Sequence, residues 1–253
     1  MIKKFIPLKI KIVLKIIMKY FLTKKNNYLN KKNIKKINNK NFMLKNLQKI
    51  NSIDELINFH FDTYSTLSHI NKDMFTLLLK NFSNKSLNIL ETGSAAHGSK
   101  SSMLFASYIL KFGGRFDTVD INSDIKKFYK FIDNDMINFH TNDSVEFIKK
   151  LNSDFVSDLH IVYLDSAPLD LKNPHSGQNH CLNEFLLIDA NIKQGTLIAI
   201  DDTPKYFELW GSSFENTLNF VPGNGRYVLD YINKHKGKYE ILYHHYSVVL
   251  KKL

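Results

Sequence analysis

The chain of 253 residues has one cysteine, Cys181, and two arginines, Arg115 and Arg226. A lone thiol excludes a disulfide within the chain, which agrees with a reducing, cytoplasmic setting. Two arginines are few for a protein that reads bases or clamps phosphates, so nucleic acid is not an expected partner. Acidic residues are missing before Asp54. All 24 of them share the rest of the chain with only 20 of the 35 basic residues, so the formal charge of +11 is a property of the first 50 positions. It does not describe a basic groove on a folded domain. The apolar start, Met1 to Leu22, is broken by Lys9, Lys11, Lys15 and Lys19. That excludes a charge-free run of about 18 residues, and with it a spanning helix. A small-residue cleavage site is also missing, so a secretory signal is not expected.

What the first 50 residues do contain is an amphipathic pattern and then a Lys/Asn-rich stretch. Ile10, Val13, Leu14, Ile17 and Phe21 share one helical side, with lysines mostly elsewhere. Such a helix suits the surface of an anionic membrane, here the inner face, as a peripheral contact. It equally suits a helix that covers the domain or a partner subunit. Residues 1–50 are therefore read as a basic amphipathic helix and linker, and 51–253 as the folded domain.

The glycines of a dinucleotide fingerprint are absent too. Residues 87–92 read as a strand that runs into Glu91-Thr92-Gly93, and the next glycine of the loop is Gly98. A helix opens near Ser99, and a second strand closes at Asp120, followed by Ile121 and Asn122. Strand, glycine turn, helix, strand and acid form half of a nucleotide-binding α/β unit. Glycine lets backbone approach a ligand where a Cβ would collide. Free N–H groups at the helix start face the crevice, and a carboxylate at Asp120 can accept both ribose hydroxyls. Without G-x-G-x-x-G, a diphosphate cradle is not expected.

Further strands are expected at 116–121, 137–142, 159–165 and 196–201, with helices at 100–112, 123–131, 144–152, 179–191 and 225–235. Ser52 and Glu55 have capping-box spacing, so a helix starts there, and another covers 71–82; together they can roof the crevice. Strand-like segments 239–243 and 247–250 are too close for a parallel crossover and must pair as a hairpin. The expected fold is α/β, a Rossmann-like doubly wound sheet of seven strands with the last one antiparallel.

Ligands in such sheets bind outside the carboxyl ends of the strands. The third strand ends in Asn142-Asp143-Ser144, where Asp143 and Ser144 also suit helix capping. The fourth ends in Asp165-Ser166 and the fifth in Asp201-Asp202-Thr203. If those two strands are neighbours, three carboxylates meet on one rim, and all-oxygen donors suit Mg²⁺. Solvated acids and helix caps are the alternative.

The loop from Glu91 to Gly98, with Asp120 closing the next strand, resembles the S-adenosylmethionine (SAM) site of class I methyltransferases. The resemblance implies cofactor contacts from Glu91, Thr92, Gly93, Ser94, Gly98, Ser99, Asp120 and Asn122. It also implies adenine contact at Asp143 and Ser144. Tyr163-Leu164-Asp165-Ser166, then Asn183-Glu184-Phe185-Leu186-Leu187, then Gln194 through Thr203 are similar to metal-dependent sugar O-methyltransferases of the macrocin/novobiocin type. Their wider group includes cephalosporin-hydroxylase-like proteins. The likeness covers roughly residues 52–253, and Pro222-Gly223-Asn224-Gly225-Arg226 resembles a turn these proteins carry before their last helix. It implies a metal at Asp165, Asp201 and Asp202. It also implies O-methylation of a small-molecule or lipid-linked sugar in glycan or glycolipid biosynthesis. One position departs: the acid expected two residues after Asp165, the general base, is Ala167. Asp170, His175 and His180 are the candidates to replace it. A nicotinamide-dependent oxidoreductase and a non-catalytic module tethered by its basic tail are the competing readings.

The concentration of charge makes the tail testable. The full chain is expected to sediment with anionic vesicles at low salt and to release as salt screens exposed charge over about 8 Å at 0.15 M. Indifference to anionic vesicles at low salt would remove the membrane role.

Overall fold

The computed structural model describes residues 39–253 except 83–84, 95–97, 133, 169, 171–172 and 211–220. The amphipathic segment and the middle of the glycine loop lie outside the described residues. The chain divides into a unit over residues 1–43 and one over 44–253. Among the described residues no helix is long and apolar enough to cross a membrane.

A short helix, α1 (Lys40–Leu47), leads to α2 (Ile53–Thr63) and α3 (Lys72–Lys80). Leu47 and Ile50 are buried, so the larger unit draws core side chains from before position 51. The start of α2 is fixed by its sequence: Ser52 Oγ accepts from the Glu55 N–H at 3.2 Å, and Glu55 Oε2 accepts from the Asn51 N–H at 2.6 Å. Along α3, Met74, Phe75, Leu78 and Leu79 form the buried stripe.

The sheet follows. Its strands are β1 (Leu87–Thr92), β2 (Gly114–Asp120), β3 (Ile137–Thr141), β4 (Ile161–Leu164), β5 (Leu197–Ile200), β6 (Tyr239–His244) and β7 (Val248–Lys252). They lie in the order β3-β2-β1-β4-β5-β7-β6. The first five are parallel, and β7 runs antiparallel to both β5 and β6. This is the doubly wound, seven-stranded sheet with a reversed last strand that the segment pattern predicts. Between the strands lie α4 (Ser101–Phe112), α5 (Asp124–Phe128), α6 (Ser144–Ile148), α7 (Ser153–Ser157), α8 (Pro174–Asp189) and α9 (Arg226–Lys234).

Alternation along the strands divides the core. On one face Tyr163 packs with Phe75 and Phe105, ring centroids 5.4 and 5.8 Å apart, and Phe105 with Phe116 at 5.7 Å. On the other, Leu90, Val162 and Leu164 meet Cys181, Phe185 and Ile188 of α8 and Val228 and Ile232 of α9. Cys181 is thus a packing residue.

Three helix boundaries differ from the sequence expectation. The helix expected over 144–152 ends at Ile148, and a separate short helix begins at Ser153, where Asn152 Oδ1 accepts from the Asp154 N–H at 2.7 Å. The helix expected over 123–131 stops at Phe128 and continues as a 3₁₀ turn, Lys130–Ile132. The helix expected at 179 begins at Pro174, whose missing N–H costs nothing in a first turn.

One glycine is required for the sheet itself. Gly114 opens β2 at φ +114, and a Cβ there would lie 2.0 Å from the Leu87 carbonyl oxygen. Gly114→Ala is expected to cost roughly 3 kcal/mol or more, because both the dihedral and the main-chain contact forbid the side chain. Chemical denaturation showing a loss below about 1 kcal/mol would contradict this account of the β1–β2 pairing.

Candidate functional site

Strand register sets the order of residues on the carboxyl rim. Thr92 is opposite Val119 and Leu164, Leu164 is opposite Ile200, and Asp120 is opposite Thr141. The rim therefore reads Asn142-Asp143, Asp120-Ile121, Gly93, Asp165 and Asp201. A cavity of about 350 Å³ opens there, lined by Gly93, Asp120, Asp143, Ser144, Asp170 and His180 among others. Six of the sequence-predicted residues thus share one wall.

The turn at Gly93, on the cavity lining, sets how closely the ends of β1 and β4 approach. Its φ is +82, and a Cβ would stand 2.1 Å from the Asp165 carbonyl oxygen and 2.8 Å from Ser166 Cα. Only glycine lets the end of β1 pass the end of β4 so closely. Asp120 is fixed beside it: Oδ2 accepts from the Ser94 N–H at 2.9 Å and Oδ1 from the Asn122 N–H at 2.7 Å. Each oxygen keeps a further lone pair. Ile121 next door is 78% exposed, an apolar side chain on the cavity wall.

Of the other predicted cofactor residues, Thr92, Ser94 and Ser99 are buried behind this surface, whereas Gly98 and Asn122 are exposed. Ser94 Oγ bonds Thr118 Oγ1 at 2.8 Å, and Asn122 Oδ1 accepts from the Asp124 N–H at 3.0 Å. The carbonyls of Gly98 and Ser99 accept from Ser65 Oγ at 2.9 Å and His60 Nε2 at 2.7 Å, so α2 and the turn after it hold the loop. Thr92 is fully buried. Asp143 caps α6, with Oδ1 accepting from the Glu146 N–H at 3.0 Å.

Glu91 is wholly buried as well. Its Oε2 accepts from Ser102 Oγ at 2.5 Å and Thr118 Oγ1 at 2.7 Å. Its Oε1 has no partner among the described residues. Burial, reinforced by the charge of Asp120, raises this carboxyl to about 7 against the hydroxyls that favour its charge.

The three acids of the fourth and fifth strand ends are not equivalent. Four donor groups surround the Asp201 carboxylate. Asn71 Nδ2 reaches both oxygens, at 2.8 and 2.9 Å. Tyr163 OH lies at 2.5 Å, Ser247 Oγ at 2.9 Å and the Asp202 N–H at 2.8 Å. Asp202 accepts one hydroxyl, Tyr246 OH at 2.7 Å. No hydrogen bond reaches the Asp165 carboxylate among the described residues. Burial pushes the Asp165 carboxyl well up, and Asp201, Asp202, Glu91 and Glu184 add to it. Burial and Asp201 also raise Asp202.

Among the described residues no three His, Cys, Asp or Glu side chains are set to hold a metal ion. The Asp201 oxygens are occupied by hydrogen bonds from the interior. Asp165 and Asp202 do fit a hard cation, because Mg²⁺ often uses one or two carboxylates and completes its shell with water and substrate oxygens.

Sequence reasoning missed Glu184. It is buried in α8 one turn beyond His180, accepts from Ser166 Oγ at 2.6 Å, and faces His180 Nε2 at 3.5 Å. The signal was there: an acid four residues after a histidine on one helix face. Position 167 offers only its backbone, the Ala167 carbonyl accepting from Asn224 Nδ2 at 2.8 Å. That bond gives the Pro222–Arg226 turn a structural task.

Solved structures share this architecture. The MycE methyltransferase from the mycinamycin biosynthetic pathway, in complex with Mg and SAH, matches with a TM-score of 0.55 and 16% identity over 80% of this chain. The fold is the class I methyltransferase fold. A second MycE structure, with Mg, SAH and mycinamycin VI, also matches at 0.55 and 16% over 80% of this chain. A putative caffeoyl-CoA O-methyltransferase from Staphylococcus aureus aligns at 0.49 and 18%, over 84% of this chain and 98% of that one. The chain spans 55% of the length of MycE in the first match. No family model matches the chain, and no curated protein sequence does either. At such identities the likeness is one of fold.

Glu91 yields a stability prediction. Between its ordinary value of 4.5 and about 7, the native chain holds a proton that the unfolded chain has released. Stability must therefore fall as pH rises through that window and level off above it. Glu91→Gln should remove this slope and gain on wild type by up to roughly 3 kcal/mol between pH 5 and pH 8. Parallel pH profiles for the two proteins in denaturant unfolding would refute the assignment.

Proposed function

We propose that this chain is a SAM-dependent O-methyltransferase that acts on a hydroxyl of a small-molecule or lipid-linked sugar. One observation carries the reading. The rim cavity pairs a glycine turn that no Cβ can enter with an acid, Asp120, placed for a ribose diol. That combination suits a nucleoside, and the loop sequence lacks the G-x-G-x-x-G glycines that a diphosphate cradle needs. The MycE structures, which hold Mg and SAH on the same fold, support it.

In this reading Asp120 accepts from the ribose hydroxyls, and Gly93 lets the cofactor lie against the end of β4. Ile121 covers one face of the base. Asp165 and Asp202 would hold a divalent ion, which when bound lowers the pKa of an acceptor hydroxyl and fixes its position. Asp201 takes no part in that contact and instead secures the backbone from which Asp202 projects. Asp170, on the cavity wall beyond Ala167, receives the proton of the acceptor hydroxyl. The remaining task is alignment, since methyl transfer is an in-line displacement that gains most from fixed geometry.

The sugar acceptor rests on the Asp165 to Thr203 motifs and on no contact in the structure. A nicotinamide cofactor is disfavoured by the absent diphosphate loop.

Two measurements test the reading. Asp120→Ala should weaken SAM binding about 10- to 100-fold, since a charge-assisted hydrogen bond is worth roughly 1.5–3 kcal/mol. Wild-type affinity in the variant would displace the ribose from Asp120. EDTA should abolish methyl transfer and Mg²⁺ restore it, and Asp202→Asn should lose activity while SAM still binds. Full turnover in EDTA would leave Asp165 and Asp202 without a metal.

A further inference from the structure

His180 entered as a candidate proton acceptor, and its surroundings suit another task. Its Nε2 lies 2.9 Å from Ser144 Oγ and 3.5 Å from Glu184 Oε1. Glu184 is 1% exposed and is held in turn by Ser166 Oγ at 2.6 Å. A buried carboxylate beside Nε2 favours the tautomer that carries its proton there, with Ser144 Oγ accepting as well. The same carboxylate raises the affinity of the ring for a second proton, against its burial. In the neutral ring Nδ1 is then a hydrogen-bond acceptor, and no described residue donates to it.

The cavity around the ring combines apolar surface, against which a flat base can lie, with polar groups. Val119, Ile121, Ala167 and Pro168 give it apolar walls, and Ile121 is left 78% exposed. Ser144 and His180 give it a polar edge. Ser144 follows β3, beyond Asp120 on β2, whereas Asp165 and Asp202 follow β4 and β5. A nucleoside whose ribose meets Asp120 and whose reactive end points toward β4 and β5 has its base on the β3 side.

We infer that His180, oriented by the positioning residue Glu184, accepts the exocyclic amine of adenine and so selects an adenosyl cofactor. This rests on the proposed SAM site and adds a base-reading residue to it. It also removes His180 from proton transfer, leaving Asp170 in that role.

The test compares SAH with its inosyl counterpart, in which a carbonyl oxygen replaces the amine and N1 carries a proton, and with its 6-deamino counterpart, in which hydrogen replaces the amine and N1 is unchanged. By calorimetry wild type should prefer SAH to either by about tenfold or more, the value of one well-formed hydrogen bond and the loss of its mismatch. His180→Leu should bring the ratio of SAH to the 6-deamino ligand close to one, and His180→Asn, a smaller change, should do the same if the leucine variant folds poorly. Glu184→Gln, which keeps an acceptor beside Nε2, should retain the preference, and Glu184→Leu should lose it. A purely structural role would weaken all three ligands together and leave the ratio intact, which would overturn the inference. So would a preference that survives in His180→Leu and disappears in Asp143→Ala. Wild type that binds none of the ligands would overturn the SAM reading itself, whereas wild type that binds SAH and the 6-deamino ligand equally would overturn only the role of His180.

Discussion

Asp201 holds together three parts of the fold that are remote in sequence. Asp201 is 7% exposed, and its carboxylate accepts hydrogen bonds from Asn71 at the start of α3, Tyr163 within β4 and Ser247 just before β7. Ser247 Oγ also lies 2.7 Å from Asn71 Oδ1, so its single proton is shared between that oxygen and the Asp201 carboxylate. A buried charge is tolerable only when hydrogen bonds replace its water, and four donor groups surround this one. The roof helices, the centre of the sheet and its reversed strand thus converge on one anion. The rim depends on that anchor, because Asp202 follows it in left-handed backbone, at φ +46. The Asn224 N–H then donates to the Asp202 carbonyl at 2.9 Å.

This explains why strand-end acids are a poor guide to ligands. From the sequence, Asp165, Asp201 and Asp202 form one class: acids after the fourth and fifth strands. In the structure Asp201 faces inward to tyrosine, serine and asparagine, and the other two acids keep oxygens for something else. The partners of Asp201 are 130, 38 and 46 residues away along the chain. No local pattern marks Asn71 or Ser247 as its donors. Their pairing is a consequence of strand order, which a segment list does not contain.

The fold itself was largely legible, for a local reason. Parallel strands buried on both faces read as short apolar runs, and Leu87–Thr92, Ile161–Leu164 and Leu197–Ile200 are nearly all buried. The final hairpin could be read because its link is too short for a crossover. Helices were less legible where polar residues start or interrupt them. Pro174 through Gln178 carry little apolar periodicity, so the first turns of α8 were missed. His180 and Glu184 lie inside the expected helix, but their meeting with Ser144 and Ser166, 36 and 18 residues away, is set by how α8 packs. Of the candidate site, Gly93, Asp120, Asp143 and Ser144 were visible as strand-end punctuation. Glu91, Thr92 and Ser99 were visible by the same rule, yet they support the cavity from behind.

The central claim is that this rim cavity takes an adenosyl nucleoside with no diphosphate, between Gly93, Asp120 and the β3 end. The most direct measurement is calorimetric titration of the wild-type chain with SAM, SAH and NADH under one set of conditions. Saturable binding of SAM and SAH at one site per chain, with none of NADH, is the predicted result. Binding of NADH in the absence of SAM or SAH binding would contradict it.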